Sequence, residues 1–481
     1  MSGLFGTLNN TSRSLGVQQS ALQTTGHNIA NANTEGYSRQ RVSLVASNPY
    51  TLTGIGQLGT GVRISTIDRI VDPYVNKQLQ GENSSLEMYK QKADVLGQLE
   101  SIFNEPSDTG LNNSINEFYS SWTYLGSNPE TLTSKTMVAQ TGKTFTDTIH
   151  HMSNQMDNMR DGTVKDVEKN VLDFNTKLEQ LSALNKQIFN VAIKGQAPND
   201  LLDQQDRLVS ELSGIAGVET SYDQYNRVSI SMSGNDVLNG STLNTLGTTD
   251  DGTGNLVVNG PDGKTTAIEI KSGNIKGSQD ALKVIDERVE ELDNLAFTFA
   301  TAVNTIHSDN GKGEPFFIIG TDSKGAAKAI NVDAAIMDDV TTINAGKDIG
   351  NVVGGDGTRA QAIASLQDTL LDFSDGGKTN TDNYDPTTMK IKNQPGGTSI
   401  SGAYNDMVTK TGITKQQADN MEASQESLVS LLHARKESIS GVSINEEVTD
   451  TIKYKSAFQA NSRMITVISE MLDTLINRTG V

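Results

Sequence analysis

SINEEVTDTIKYKSAFQANSRMITVISEMLDTL, residues 443–475, places its larger side chains at three-and-four spacing. Ile444, Thr451, Phe458, Ile465 and Leu472 lie seven apart and form one column. Glu447, Tyr454, Asn461, Ile468 and Leu475 form the other. Val448, Ile452, Met464 and Met471 widen the stripe. That period belongs to a helix with a packing seam. The helix should start near Ser443, with Glu446 completing a capping box, and run to about Arg478, just before Gly480.

The other end of the chain carries a weaker echo. Leu8, Leu15, Leu22 and Ile29 are seven apart, interleaved with Leu4, Thr11, Gln18 and Thr25. One column is apolar and the other mostly polar, too narrow a stripe to hold a helix alone. Between the ends, three-four spacing marks rods at Leu86–Phe103, Val164–Ile188 and Leu282–Ile306, and a shorter one at Met421, Leu428 and Leu432. From about Val218 to Ile270 the pattern alternates, as in Val228, Ile230 and Met232. Asn239-Gly240, Asn259-Gly260 and Asp262-Gly263 punctuate it as hairpin turns. Residues 312–397 are rich in Gly, Asp, Asn and Thr, and read as loops with weak strands and a short helix near Ala360–Leu371.

The predicted fold is therefore mainly α with inserted β. Terminal helices at 1–40 and 441–481 form a coiled-coil region. A long-helix bundle takes 41–215, 277–320 and 400–440. A small β-rich outer domain takes 216–276, and 321–399 is a loop-rich segment.

Composition narrows the function. Of 481 residues, 35% are hydrophobic and 5% aromatic, lean for one globule and suited to helical rods with small sheets. The formal net charge of −19 repels phosphate backbones and anionic lipid, so neither nucleic acid nor membrane is an expected partner. No cysteine is present, which excludes disulfides and thiolate chemistry. The first 30 residues lack the basic and apolar regions of a secretory signal, and no apolar run is long enough to span a bilayer. Taken alone, these facts leave the chain in the cytosol or exported by a route free of oxidative folding.

Catalytic and metal motifs are missing. His27, His150, His151, His307 and His433 form no spaced ligand pair. Gly260-Pro-Asp-Gly-Lys264 has two residues between its glycines where a phosphate loop needs four, and falls in a predicted hairpin. Gly354, Gly355 and Gly357 lack dinucleotide spacing, and Asp309–Glu314 lacks the alternating oxygens of a calcium loop. There is no G-x-S-x-G. The expectation is no enzyme, no cofactor and no metal.

Asn28-Ile-Ala-Asn31-Ala-Asn33-Thr-Glu-Gly36-Tyr37-Ser38-Arg39 follows the N-terminal heptads directly. Its Asn side chains cap backbone groups and Gly36 supplies a positive φ, so by its residues it is a helix end leading into a strand. The stretch also resembles the "AN-x-x-T-x-GY" signature of bacterial flagellar rod, hook and hook-associated proteins, as does the preceding SALQTTGHNI at 20–29. At the far end, ISGVSINEE at 439–447 resembles that family's "SGV-x-x-DEE", with Asn445 where Asp is usual. YKSAFQANSR at 454–463 and EMLDTL at 470–475 fit it too. Ser-Arg-Gln-Arg-Val after Tyr37, the chain length, and GEPFFIIG at 313–320 bring the likeness nearest to the member at the hook–filament junction. It covers residues 1–215, 277–320 and 400–481.

The resemblance implies a structural subunit of the extracellular flagellum, exported unfolded through the flagellar type III channel. It implies self-assembly into a ring or helical layer that contacts the hook protein and hook-associated protein 3, and through the latter the flagellin filament. A cytosolic chaperone would hold the C-terminal helix before export. The residues expected to carry assembly are Leu8, Leu15, Leu22, Ile29, Asn28, Asn31, Asn33, Gly36, Tyr37 and Arg39 at one end. At the other they are Tyr454, Phe458, Asn461, Ile465, Ile468, Leu472 and Leu475. Competing readings are another axial protein, such as a hook or distal rod protein, and an adhesin acting through the outer loops. Hook proteins usually lack rods like those at 164–192 and 282–306.

Overall fold

A computed structural model describes residues 3–54, 56–103, 110–249, 252–260, 263–349, 353–374 and 377–478. Helix α1 (Leu4–Ala30) opens the chain. Two antiparallel pairs follow where the sequence had suggested helical bundle. β1 (Gln40–Ala46) pairs with β4 (Val62–Arg69), and β2 (Tyr50–Leu52) with β3 (Gly56–Leu58) inside that loop. Their side chains are mostly exposed on both faces, so no buried alternation marks them as strands.

The bundle comprises α2 (Pro73–Phe103), α3 (Leu111–Ser127), α4 (Leu132–Ala192), α5 (Asn199–Ile215) and α6 (Asn274–His307). α2 begins well before the predicted Leu86. Asp72 accepts the Tyr74 N–H at 2.9 Å, and Pro73 takes the first helical position, where its missing N–H costs nothing. α4 is a single helix of 61 residues, roughly 90 Å long by its rise per residue, free of proline between Pro129 and Pro198. Its first half lies in the main core with Trp122, Phe118 and Phe299, and its second half lies under the sheets.

The alternating region forms two small antiparallel sheets, as expected. One holds β5 (Glu219–Tyr222), β6 (Val228–Met232), β7 (Asn235–Asn239) and β8 (Thr242–Leu243) in that order. The other places β10 (Leu256–Asn259) between β9 (Thr245–Thr248) and β11 (Thr265–Ile268). Val228, Ile230 and Met232 face inward onto Val167, Phe174 and Leu178 of α4. The Asn239-Gly240 turn sits where predicted, with Gly240 at φ +60°. Gly260 and Lys264 close the β10–β11 hairpin, the reading preferred over a phosphate loop. Asp262 and Gly480 lie outside the described residues.

The described part of the 321–399 segment, short strands and short helices joined by loops, packs onto the main core. Around β12 (Phe317–Ile318) and β13 (Asn331–Val332), α7 (Ala326–Ala329), α8 (Ala334–Asp338) and α9 (Thr358–Ala364) send Ala327, Ile336, Ala360 and Ile363 into the main core. Arg359, 1% exposed, ties the segment down by donating to the carbonyls of Ile306, Gly346 and Lys347. α10 (Lys378–Asp382) and the pair β14 (Tyr384–Asp385) and β15 (Lys390–Ile391) complete it. α11 (Ile400–Ser440) then runs along α2, far longer than its three flagged residues suggested. Its buried positions are few and widely spaced: Ile400, Tyr404, Met407, Thr411, Ala418, Val429 and Leu432. α12 (Ile444–Asp473), continued by one wider turn to Arg478, returns beside α1.

Candidate functional site

Helix α1 ends where its sequence stops favouring it. The Asn31 N–H and side-chain Nδ2 both donate to the His27 carbonyl, at 3.1 and 3.0 Å. The Thr34 N–H bonds Asn31 O and the Tyr37 N–H bonds Thr34 O, turning the chain back on itself. Gly36 sits at φ +79°, a conformation that side-chain-bearing residues resist. The reversal lays Tyr37 against the last turn of α1, its ring edge-on to His27 at 5.5 Å.

Asn28 is the centre of the resulting corner. It is 1% exposed, and all its hydrogen-bonding capacity is used. Its Oδ1 accepts from the Tyr37 hydroxyl at 2.7 Å and the Gln40 N–H at 3.0 Å. Its Nδ2 donates to Gln40 O at 2.9 Å and to Glu447 Oε2 at 3.0 Å. Glu447, also 1% exposed, takes the Arg39 Nε on its other oxygen at 2.6 Å. Arg39 reaches Glu446 at 2.7 Å, and its backbone N–H bonds Ser440 O at the end of α11. Glu446 therefore closes no capping box, and Ser443 makes no side-chain cap; Arg39 competes for that carboxylate with a full charge.

A second layer ties the corner to the bundle. Asp203 of α5 accepts the Ser38 N–H at 3.1 Å and Arg69 Nη1 at 2.7 Å. Asp206 shares that guanidinium at 2.9 Å. Gln40 donates to Asp200 at 2.7 Å, and Asn199 donates to Ile67 O at 2.7 Å. Burial, then Asp200, Asp203 and Glu447, push the Tyr37 hydroxyl well above its ordinary range, so it remains a donor. Burial works against the Arg39 charge, but Glu447 and Glu446 outweigh it and raise its pKa. Burial also raises Asp206, against the pull of Arg69.

The structure thus brings Asn28, Asn31, Gly36, Tyr37 and Arg39 into one corner and leaves Ile29 and Asn33 at its surface. Along the α1–α12 seam the predicted order is reversed. Thr11 and Thr25 of the polar column are buried, together with Val17, Ala21 and Thr24. Leu8, Leu15 and Leu22 are only half-buried. Thr25 and Thr451 meet hydroxyl to hydroxyl at 3.2 Å. On α12, Ile468 is buried; Tyr454, Phe458, Asn461, Ile465 and Leu472 are half-buried, and Leu475 is exposed. The broad stripe read from the sequence splits in two. One part faces α1. Ile444, Val448, Ile452, Met464, Val467, Met471, Leu475 and Ile476 face outward, each 44–66% exposed.

Sequence reasoning missed Gln40, Arg69, Asp200 and Asp203, and gave Glu447 a place in a column but no partner. Asp200 and Asp203 in the opening turns of an amphipathic segment were the available signal. Among the described residues no cluster of three metal-ligating side chains occurs and no helix is long and apolar enough to cross a membrane. The corner holds backbone and charge in fixed register.

Comparison with known proteins adds identity to this geometry. Residues 96–317 match the family described as the flagellar hook-associated protein FlgK helical domain. Residues 437–478 match the C-terminal region of the flagellar basal body rod FlgEFG proteins, and residues 8–37 match flagella basal body rod proteins. The chain is 31% identical to flagellar hook-associated protein 1 of Bacillus subtilis, covering 100% of this chain and 99% of that one. It is 25% identical to the protein of that name from Salmonella typhimurium and 26% to that from Escherichia coli, over 98% of this chain and 99% of each relative. A solved structure, the flagellar hook junction protein FlgK from Burkholderia pseudomallei, has the same fold. Its TM-score is 0.63 at 15% identity, over 76% of this chain and 100% of that one.

Proposed function

Because this chain belongs to the flagellar hook-associated protein 1 family, we propose that it is a structural subunit of the junction between hook and filament, required for filament assembly. The observation that carries the reading is the corner itself. One buried network joins the end of α1 to the start of α12 and fixes both to α5 and β4. The paired ends then project an apolar stripe that the fold leaves uncovered. Exposed apolar surface on this scale marks an association face. Subunits bury it on one another and form a ring or helical layer.

The finer assignments rest on the same stripe. The layer contacts the hook protein on one side and hook-associated protein 3, leading to the flagellin filament, on the other. Before export, a cytosolic chaperone covers the outer face of α12, which would otherwise self-associate in the cytosol. Export through the flagellar type III channel places the protein outside the cell, and its role there is mechanical, with no catalysis. The proposed assembly residues are those at the two ends: the signature corner and the α1 leucines, and the α12 positions from Tyr454 to Leu475.

Electron microscopy of cells lacking the protein tests the reading. Hooks without filaments, with flagellin shed into the medium, are expected. Filaments of normal length and number on those cells would overturn it.

A further inference from the structure

One groove at the terminal end of the molecule lies away from the α1–α12 seam. It measures about 860 Å³ and runs between the first three turns of α1 and the ends of the β1–β4 loop. Phe5, Tyr50 and Leu58 give it apolar walls, and each is at least 40% exposed. Arg13 and Arg63 also line it, and no Asp or Glu does. Neither arginine forms an ion pair among the described residues. One long hydrogen bond crosses the groove, from Asn10 Nδ2 to Gly59 O at 3.4 Å.

The charge there opposes the rest of the chain. Residues 3–67 hold four arginines (Arg13, Arg39, Arg41, Arg63), no lysine, and Glu35 as the one acid, within a protein of net charge −19. Arg39 is already committed to the corner. The groove therefore calls for an apolar ridge that carries a carboxylate. The chain has such a ridge: Val467 and Met471 of α12 and Leu475 in the turn that follows are exposed at i, i+4, i+8 spacing, flanked by the exposed Glu470. The molecule does not seat its own ridge there: α12 packs on α1, yet none of its residues lines the groove.

We infer that the groove between α1 and the β1–β4 loop receives the C-terminal turns of α12 from a second copy of this chain, with Glu470 of that copy between Arg13 and Arg63. The contact is heterologous: groove on one subunit, ridge on the next. Such contacts propagate head to tail and close into rings or wind into helical layers, where a self-complementary patch would stop at a dimer. The inference rests on the self-assembly reading above and specifies its geometry.

The absence of cysteine makes the test direct. A full-length chain carrying Leu58→Cys and Met471→Cys is expressed in cells lacking their own copy. Flagella are isolated, oxidised and run without reductant. A ladder of multimers, lost on reduction, is expected. Filaments whose junction subunits stay monomeric on the gel overturn the docking and leave the junction role standing. Failure of the unsubstituted chain to restore filaments sinks the junction role itself. If the cysteine pair blocks assembly, charge reversal decides. Arg63→Glu should cut filament number at least tenfold, and adding Glu470→Arg should recover most of it. No recovery by the double reversal overturns the docking.

Discussion

Asn28 and Glu447 show how much one hydrogen-bonded pair can be asked to hold. They are 419 positions apart, yet each is 1% exposed and each satisfies the other. A hydrogen bond to a charged group contributes little net stability, but removing the carboxylate leaves the buried Asn28 amide without an acceptor at a cost of about 1–3 kcal/mol. Glu447→Ala should therefore release the first turns of α12 without unfolding the bundle. Hydrogen exchange of the amides at 444–455 is expected to quicken by about a hundredfold, while α4 amides are unchanged; unaltered exchange at 444–455 would show that the network is not the fastener. The signature made Asn28, Tyr37 and Arg39 legible in the sequence. It could not reveal Asp203 or Arg69, because a carboxylate 134 positions from its guanidinium leaves no local periodicity. His307 is a second residue whose role only packing discloses. Its Nδ1 donates to Glu314 O at 3.0 Å and its Nε2 accepts the Asn344 N–H at 3.0 Å, an arrangement open only to the neutral ring. Burial holds its pKa down to about 4, against about 6.5 in the unfolded chain. The unfolded state thus binds the proton first. This stability is fully present above pH 6.5 and is lost as pH falls towards 4, in total about 3 kcal/mol. Urea unfolding at pH 7.5 and 4.5 should show a larger acid loss for the native chain than for His307→Gln; equal losses would refute it.

At the scale of elements, α1 and α12 teach that a heptad names a helix more surely than it names the buried face. The leucine column of α1 is apolar and periodic, but Thr11, Val17, Ala21, Thr24 and Thr25 are the residues that α12 and the β1–β4 pair bury between them. Threonines can be buried because a helix carbonyl one turn back accepts each hydroxyl, as Thr7 O does for Thr11 at 2.8 Å. The helices and the hairpin-rich region were readable from period alone. The β1–β4 pairing and most of α11 were not, since neither has a dense apolar face to betray it. The two faces of α12 should separate in experiment. Ile468→Asp buries a charge against α1 and is expected to abolish the helical signal of the terminal pair. Met471→Asp lies on the outer face, so the isolated protein should keep its circular dichroism while cells carrying it make few or no filaments. Equal loss of helicity in both variants would mean that α12 has one working face, not two.

The whole molecule divides its labour between a core that folds and ends that associate. The clustered apolar cores draw on α2 to α11 and the two sheets, and none includes a residue of α1 or α12. The ends are joined to that body chiefly by the polar corner, whose strength depends on geometry more than on buried area. A pair of helices of about 30 residues with a narrow seam is marginal in water, so its full order is gained when neighbouring copies cover the stripe and the groove. Folding and assembly are thereby decoupled: the body acquires its shape from its own sequence, and the ends acquire theirs from company. A truncated chain of residues 70–440 keeps every apolar cluster and gives up α1, the β1–β4 loop and α12. It should melt as cooperatively as the full chain and within a few degrees of it, because almost none of the buried apolar surface that sets ΔG has been removed. It should fail completely to restore filaments. Calorimetry and motility on the same variant read the two halves of the claim separately. A truncated body that unfolds, or one that still joins hook to filament, would each show that the labour is not divided in this way.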